Sequence, residues 1–201
     1  MNREMRAEAG NIQTGTERRR KTYDMAYIGL FVGLMAICSW ISIPTAIPFT
    51  LQTFAIFLAV TIMGGKRGTL AIVVYLLLGM VGAPVFAGFA AGPGVLFGTT
   101  GGYLIGFIFT GLLMWLIESL AGRKLWAQML SVFLGMVTYY IVGTIWFMIV
   151  YGNTNGSVSL LTALSWCVFP FVIPDLVKAA LALGFGNALR KPLAGLLREE
   201  L

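Results

Sequence analysis

Two ionisable residues, Asp175 and Lys178, lie inside the last hydrophobic stretch of the sequence, where charge is otherwise absent. They are three positions apart, so they share one face of an α-helix. Charged side chains inside a bilayer are unfavourable by roughly 2.5–3.5 kcal/mol and usually face a cavity or each other. Pro174 removes a backbone donor directly before Asp175, so we expect the helix to kink or start there. The pair indicates either a polar ligand site or a structural salt bridge between helices.

A proline-bordered stretch supplies a second group of candidate ligand contacts. Pro44 and Pro48 keep the chain non-helical, because a proline disfavours helical backbone in the residue before it. Thr50 and Gln52 follow at the predicted start of the next helix. Gln52 is suited to hydrogen-bond a ligand amide, but it is equally suited to cap its helix or to bond a neighbouring helix.

Residues 82–102 form a connection that is rich in glycine but also apolar and aromatic. A flexible linker would be polar. Non-helical backbone at membrane depth is tolerated only where protein buries it or where it lines a cavity. We therefore expect this connection to fold back over the helices and to bring Phe89 and Thr100 to a ligand. The alternative is an interfacial loop with no role in binding.

Three aromatic residues complete the candidate contacts: Tyr103 begins one hydrophobic segment, and Tyr139 and Trp146 lie in the next. Such residues also serve as packing or interface anchors, so both roles stay open. The chain has no histidine, which excludes an imidazole-based zinc site and a histidine general base. It has no phosphate-binding loop of the Gly-x-x-x-x-Gly-Lys-Ser/Thr type. We expect no metal, no cofactor and no enzymatic activity.

The composition indicates which elements position these residues. Hydrophobic residues make up 58% of the 201 residues and charged residues 11%, well below the share of charge typical of soluble domains. The net charge is +6, but the basic residues flank hydrophobic stretches, so we expect no nucleic-acid binding. The sequence predicts an all-α membrane protein. Six hydrophobic segments follow from the charged turns and the Pro/Gly-rich connections: 25–43, 49–63, 69–85, 100–120, 125–151 and 160–189.

The basic residues predict the orientation of these six transmembrane helices. They fall in the two termini and in the turns after the second and fourth segments, and the other three connections have none. The residues in question are Arg18, Arg19, Arg20, Lys21, Lys66, Arg67, Arg123, Lys124, Arg190, Lys191 and Arg198. By the positive-inside rule, both termini are cytoplasmic. We expect residues 1–22 to form a disordered cytoplasmic tail, 23–192 the membrane domain, and 193–201 a short cytoplasmic tail. Asp175 then lies about 22 Å from Arg190 along the helix, in the outer half of the bilayer.

A row of small residues follows one face of the first segment: Ala26, Gly29, Gly33 and Ala36. Small side chains let another helix approach closely, so the row indicates either packing within the bundle or docking of a separate membrane subunit.

Several motifs together resemble the biotin-specific substrate-binding subunit of energy-coupling-factor transporters, the BioY family. The similarity covers about residues 23–192. The motifs are PFTLQTFAIFLA (48–59), GG-K-RG (64–68), YLLLGMVGAPVFAGF (75–89), TGGYLIGF (100–107) and PDLVKA (174–179). One departure is that Thr99 stands where the family pattern leads us to expect a proline.

The resemblance implies a six-helix protein of a bacterial plasma membrane that binds biotin on its outer side. It implies that Asp175 and Lys178 bind biotin. It also implies that the row from Ala26 to Gly33 contacts a transmembrane coupling subunit, which joins two ATP-binding-cassette ATPases. The alternatives are a subunit for another vitamin, such as thiamin or riboflavin, and a structural membrane protein in which Asp175 and Lys178 only join helices.

Overall fold

The computed structural model describes residues 3–44 and 47–199, with side chains described from residue 21 to residue 190 within those ranges. Helices dominate this part of the chain. In order they are α1 (Arg3–Trp40), α2 (Gln52–Met63), α3 (Gly65–Met80), α4 (Pro93–Leu96), α5 (Gly101–Ala121), α6 (Leu125–Asn155), α7 (Leu160–Cys167) and α8 (Phe169–Glu199). A two-stranded antiparallel ribbon, β1 (Ser42–Ile43) with β2 (Phe49–Thr50), lies between α1 and α2.

Four helical segments are long and apolar enough to cross a bilayer: Lys21–Trp40 in α1, α5, α6, and Phe169–Arg190 in α8. Helix α2 has 12 residues and α3 has 16, which is short of the ~20 residues that a full crossing needs. Ten of the 12 residues of α2 are buried. Because that burial leaves almost no face for lipid, α2 forms the centre of the bundle.

The helices pack in pairs that bring the polar residues together. Helix α5 packs most extensively against α6, and α2 packs against α8. Glycines allow the close approach of α5 and α6, because a Cβ at Gly102 would overlap Trp146 and a Cβ at Gly106 would lie 3.0 Å from Tyr139. The resulting core is continuous from α1 to α8 among the described residues.

The connection over residues 82–102 folds back onto the bundle, as its apolar composition predicts. It contains a 3₁₀ turn at Ala87–Phe89 and the short helix α4. Phe86 is buried against Tyr75, with their ring planes at 84° and centroids 5.6 Å apart. The Trp40 indole also donates to Pro84 O at 2.8 Å, which fixes the connection to the end of α1.

Two expectations from the sequence were wrong. The last segment breaks at Val168 rather than at Pro174, and α8 runs through Pro174. Pro170 is the second residue of α8, where a missing N–H removes no bond within the helix, so a helix start at Phe169 suits it. The tail, too, is helical rather than disordered from residue 3 onward, because α1 begins at Arg3. No proline interrupts residues 3–22, and alanine, glutamate, arginine and lysine favour helix.

The row of small residues on α1 divides between two faces. Ala26, Gly29 and Gly33 are exposed, whereas Ala36 is buried in the core. Apart from the neighbouring backbone of α1 itself, no atom of the described residues lies within 4 Å of a Cβ placed at Gly29 or Gly33. Internal packing therefore accounts for Ala36 only, and the first three residues leave a shallow, unoccupied face.

Candidate ligand-binding site

A cavity of about 300 Å³ lies between the β ribbon, the 82–102 connection and helices α2, α5, α6 and α8. That volume is at the small end of the range for small-molecule sites. Seven of the nine candidate ligand contacts from the sequence line it: Thr50, Gln52, Thr100, Tyr103, Tyr139, Asp175 and Lys178. Residues from four separate parts of the sequence therefore meet at one place.

The Asp175 carboxylate is buried, with 3% of the residue exposed, and accepts four hydrogen bonds. Oδ1 accepts from Thr53 Oγ1 at 3.1 Å and from Lys178 Nζ at 2.7 Å. Oδ2 accepts from Tyr139 Oη at 2.5 Å and from Tyr140 Oη at 2.7 Å. A carboxylate has about four acceptor positions, so Asp175 is fully satisfied by the protein itself.

Lys178 is also buried, with 6% of the residue exposed. Its ammonium donates to the backbone carbonyl of Thr50 at 2.6 Å and to Asp175 at 2.7 Å, and it lies 4.1 Å from the centroid of the Phe49 ring. An ammonium has three donors, and two of these are used by oxygen atoms of the described residues. Lys178 thus connects α8 to strand β2 and keeps one N–H for the cavity that it lines.

Gln52 is the first residue of α2 and is held by a chain of hydrogen bonds. Its Nε2 donates to Tyr75 Oη at 3.1 Å, and Tyr75 Oη donates to Val85 O at 2.8 Å. These bonds orient the amide. The remaining amide oxygen, Oε1, has no hydrogen-bond partner among the described residues and belongs to a side chain that lines the cavity.

Tyr103 and Thr100 lie at the start of α5. The Tyr103 hydroxyl is 3.2 Å from Thr144 Oγ1 of α6, which connects the two helices inside the core. Thr100 precedes α5, and its backbone carbonyl accepts from Tyr103 N at 3.1 Å. Its hydroxyl makes no hydrogen bond with another described residue, so it is free to donate to or accept from a ligand.

Two of the sequence candidates lie outside this cavity. Phe89 is 62% exposed and stacks on Trp40, with ring centroids 4.9 Å apart. Trp146 donates its indole N–H to Gly98 O at 2.9 Å and packs over Gly102. Trp146 therefore holds the 82–102 connection onto α6 and shapes the site without lining it.

The structure adds Thr53 and Tyr140 as partners of Asp175, which the sequence analysis did not select. A signal for Tyr140 was present: two adjacent tyrosines inside an apolar helix need partners for both hydroxyls. Phe49 was also missed, and nothing in its spacing marks it. Among the described residues no group of three or more His, Cys, Asp or Glu could hold a metal ion.

The polar groups that line the cavity differ in whether they can donate a hydrogen bond to a ligand or accept one from it. The hydrogens of Tyr139 and Tyr140 both point to Asp175, so their oxygens can only accept from a ligand. Gln52 Oε1 is a further acceptor, whereas Lys178 can only donate. The site is therefore matched to a small molecule with N–H donors at one edge and an acceptor or anionic group near Lys178.

An apolar helical bundle around a partly open, partly polar cavity defines a membrane protein that binds a small molecule. A family model described as the BioY family matches residues 9–195. The chain belongs to that family.

Individual relatives agree with this assignment. The chain is 34% identical over 176 residues to "Biotin transporter BioY2" of Lactococcus lactis, covering 87% of this chain and 93% of that protein. It is 38% identical over 164 residues to "Biotin transporter BioY" of Thermotoga maritima, covering 81% of this chain and 93% of that protein. A crystal structure of "the S-component for biotin from an ECF-type ABC transporter" superimposes with a TM-score of 0.75 at 27% identity, covering 86% of this chain and 93% of that one.

Proposed function

We propose that this protein is the biotin-binding substrate subunit of an energy-coupling-factor uptake transporter. The observation that carries the proposal is the buried Asp175–Lys178 pair, which lines the cavity of a member of the BioY family. The chain binds and presents the vitamin, and ATP hydrolysis belongs to other subunits.

Biotin matches the division of donors and acceptors in the cavity. Its ureido ring offers two N–H donors and one carbonyl acceptor, and its valerate chain ends in a carboxylate. Tyr139 Oη, Tyr140 Oη and Gln52 Oε1 are available to accept from the ureido N–H groups. Lys178 then donates its third N–H to the ureido carbonyl or to the carboxylate. The apolar ring and chain lie against aromatic and aliphatic lining, as in most small-molecule sites.

Asp175 acts in this arrangement by positioning other groups. Its four acceptor positions are filled, so it directs the tyrosine oxygens toward the ligand and balances the charge of Lys178. A cationic ligand such as thiamin finds no unpaired anion among the described lining residues. Asp175 and Lys178 thus form an ion pair that joins parts of the protein, and the same two residues line the ligand site.

The proposed topology has six crossings, with both termini on the cytoplasmic side of a bacterial plasma membrane. The positive-inside distribution of basic residues supports it, and α2 crosses only together with the β ribbon that precedes it. Single cysteines introduced after replacement of Cys38 and Cys167 test it. Residue 156, between α6 and α7, should react with an impermeant thiol reagent in intact cells, and residue 124, between α5 and α6, should not.

The exposed row Ala26, Gly29 and Gly33 on α1 is the proposed contact for the transmembrane coupling subunit, which joins two ATP-binding-cassette ATPases. The row is shallow and faces outward, which permits close approach of a partner helix. We expect Gly33→Leu to abolish co-purification with that subunit while biotin binding is kept. Ile145→Ala, at an exposed position of α6 away from this row, is the control and should co-purify normally.

Titration calorimetry on the purified protein tests the ligand. We expect biotin to bind with sub-micromolar affinity, and thiamin and riboflavin to give no measurable heat. Desthiobiotin, which keeps the ureido ring but lacks the sulfur, should bind measurably. Absence of sub-micromolar biotin binding by folded protein would overturn the proposal.

A further inference from the structure

A second pocket lies at the end of the bundle opposite to the ligand cavity. It has a volume of about 390 Å³ and is formed where the α2–α3 turn meets the end of α5. Three cationic side chains and one anionic side chain line it: Lys66, Arg67, Arg123 and Glu118. The ligand proposed above uses none of these groups.

The charges in this pocket do not cancel. Glu118 forms an ion pair with Arg123 and accepts a hydrogen bond from the backbone N–H of Gly65. Arg67 pairs with Asp24 of α1 at 2.9 Å. Lys66 has neither an ion pair nor a hydrogen bond with another described residue. One exposed positive charge therefore remains without a counter-ion among the residues whose side chains the structure describes.

The shape of the pocket is fixed by close packing around its glycines. A Cβ at Gly65 would overlap the backbone of Trp115, and a Cβ at Gly64 would overlap the guanidinium of Arg123. Gly64 also has φ +88°, a conformation that side chains disfavour. The start of α3 is thus held directly against α5, and the pocket is part of the fold rather than a gap between loose turns.

An apolar path leads from this pocket toward the membrane centre. Trp115 lines the pocket and is 39% exposed, which is typical of an indole at the level of lipid headgroups. Leu70 on α3 and Leu112 on α5 are exposed, each one helical turn from a residue that lines the pocket. A cationic recess at the membrane surface thus continues into lipid-facing leucines.

We infer that this pocket binds the phosphate headgroup of an anionic phospholipid, whose acyl chains lie along Leu70 and Leu112. Basic pockets between transmembrane helices on the cytoplasmic side bind such headgroups. The unpaired Lys66 supplies the charge, and Trp115 lies at the junction of headgroup and chain. The inference uses the proposed orientation of the turns but does not depend on biotin binding.

Native mass spectrometry and thermal shift on delipidated protein test the site. The probes are phosphatidylglycerol, phosphatidylcholine with the same acyl chains, and inorganic phosphate at matched concentration. We expect phosphatidylglycerol to be retained and to raise the melting temperature, with little effect of the other two. Equal retention of phosphatidylcholine would overturn the inference, as would displacement of phosphatidylglycerol by an equal concentration of phosphate.

Three variants distinguish lipid binding in this pocket from a general effect of positive surface charge. Lys66→Gln should weaken retention of phosphatidylglycerol about fivefold, since one basic side chain near an anionic surface contributes that much. Lys124→Gln removes the same charge from the other inner turn but outside the pocket, and should bind like the original protein. Lys66→Arg should also retain the lipid. An equal loss in Lys66→Gln and Lys124→Gln would overturn the inference, and biotin binding by each variant verifies its folding.

Discussion

Gly143 of α6 lies directly against the ring of Tyr103 of α5, so that a Cβ at position 143 would overlap the ring atoms. Tyr103 lines the ligand cavity and reaches Thr144 through its hydroxyl. The packing of two transmembrane helices and the shape of the ligand site are therefore set by the same contact.

Gly143→Ala is expected to weaken biotin binding and to destabilise the protein. Overpacking of a filled interior is unfavourable by about 1–3 kcal/mol, and the displaced Tyr103 ring enters the cavity. Calorimetry and thermal unfolding in detergent measure the two effects. Gly29→Ala is the matched control, because its Cβ meets no other atom within 4 Å. A stable Gly143→Ala variant with unchanged affinity would show that the helices adjust without reaching the site.

Asp175→Asn and Lys178→Met should each destabilise the protein by about 3–5 kcal/mol, because each leaves a buried group without its partner. The double variant should recover much of that loss and still fail to bind biotin. Unfolding and calorimetry on all three proteins form a double-mutant cycle. Normal affinity in the double variant would mean that the pair only joins helices.

Tyr140→Phe is expected to lower biotin affinity by about two- to tenfold, because it removes a ligand acceptor whose hydrogen bond contributes roughly 0.5–1.5 kcal/mol. It should also destabilise the protein, because Asp175 loses one of its hydrogen bonds. Tyr139→Phe should behave alike. Tyr151→Phe on the same helix is the control, since the Tyr151 hydroxyl makes no hydrogen bond with another described residue and its ring stacks on Phe147. Calorimetry measures all three, and unchanged binding by both site variants would remove the tyrosines from the ligand site.

Phe89→Ala should change biotin affinity by less than about twofold, since Phe89 lies outside the cavity and packs only against Trp40 among the described aromatic rings. Phe86→Ala is the contrasting variant: Phe86 lines the cavity and is buried, so its loss should destabilise by about 3–5 kcal/mol and weaken binding. Thermal unfolding with and without biotin distinguishes them. A large loss of biotin affinity in Phe89→Ala, with little change in Phe86→Ala, would indicate that the ligand binds nearer the outer surface.

The sequence predicts α5 and α6 well because each is a long apolar segment that begins and ends at a charged or glycine-rich turn. The observed α5 and α6 begin within one residue of their predicted starts. The break at Val168 was missed because the segment contains two prolines, and the sequence does not show which of them lies in the first turn of a helix; in the structure it is Pro170.

The candidate site could be predicted from the sequence where a residue type is unusual for its surroundings. A charge inside a membrane segment identified Asp175 and Lys178, and a polar residue after a proline identified Gln52. The rest of the lining depends on which face each residue turns to the centre. Phe89 and Trp146 could not be separated from Tyr139 by composition, because aromatic side chains serve packing and binding equally well.

The short helix α2 has a consequence for how the protein is made. It is buried on almost every side and rises only about 18 Å, against a hydrocarbon core about 30 Å thick. During synthesis it reaches the bilayer before α5, α6 and α8, the helices that later surround it. Its stable placement must therefore await the C-terminal third of the chain, so a polypeptide truncated before α8 should stay protease-sensitive and be cleared by quality control.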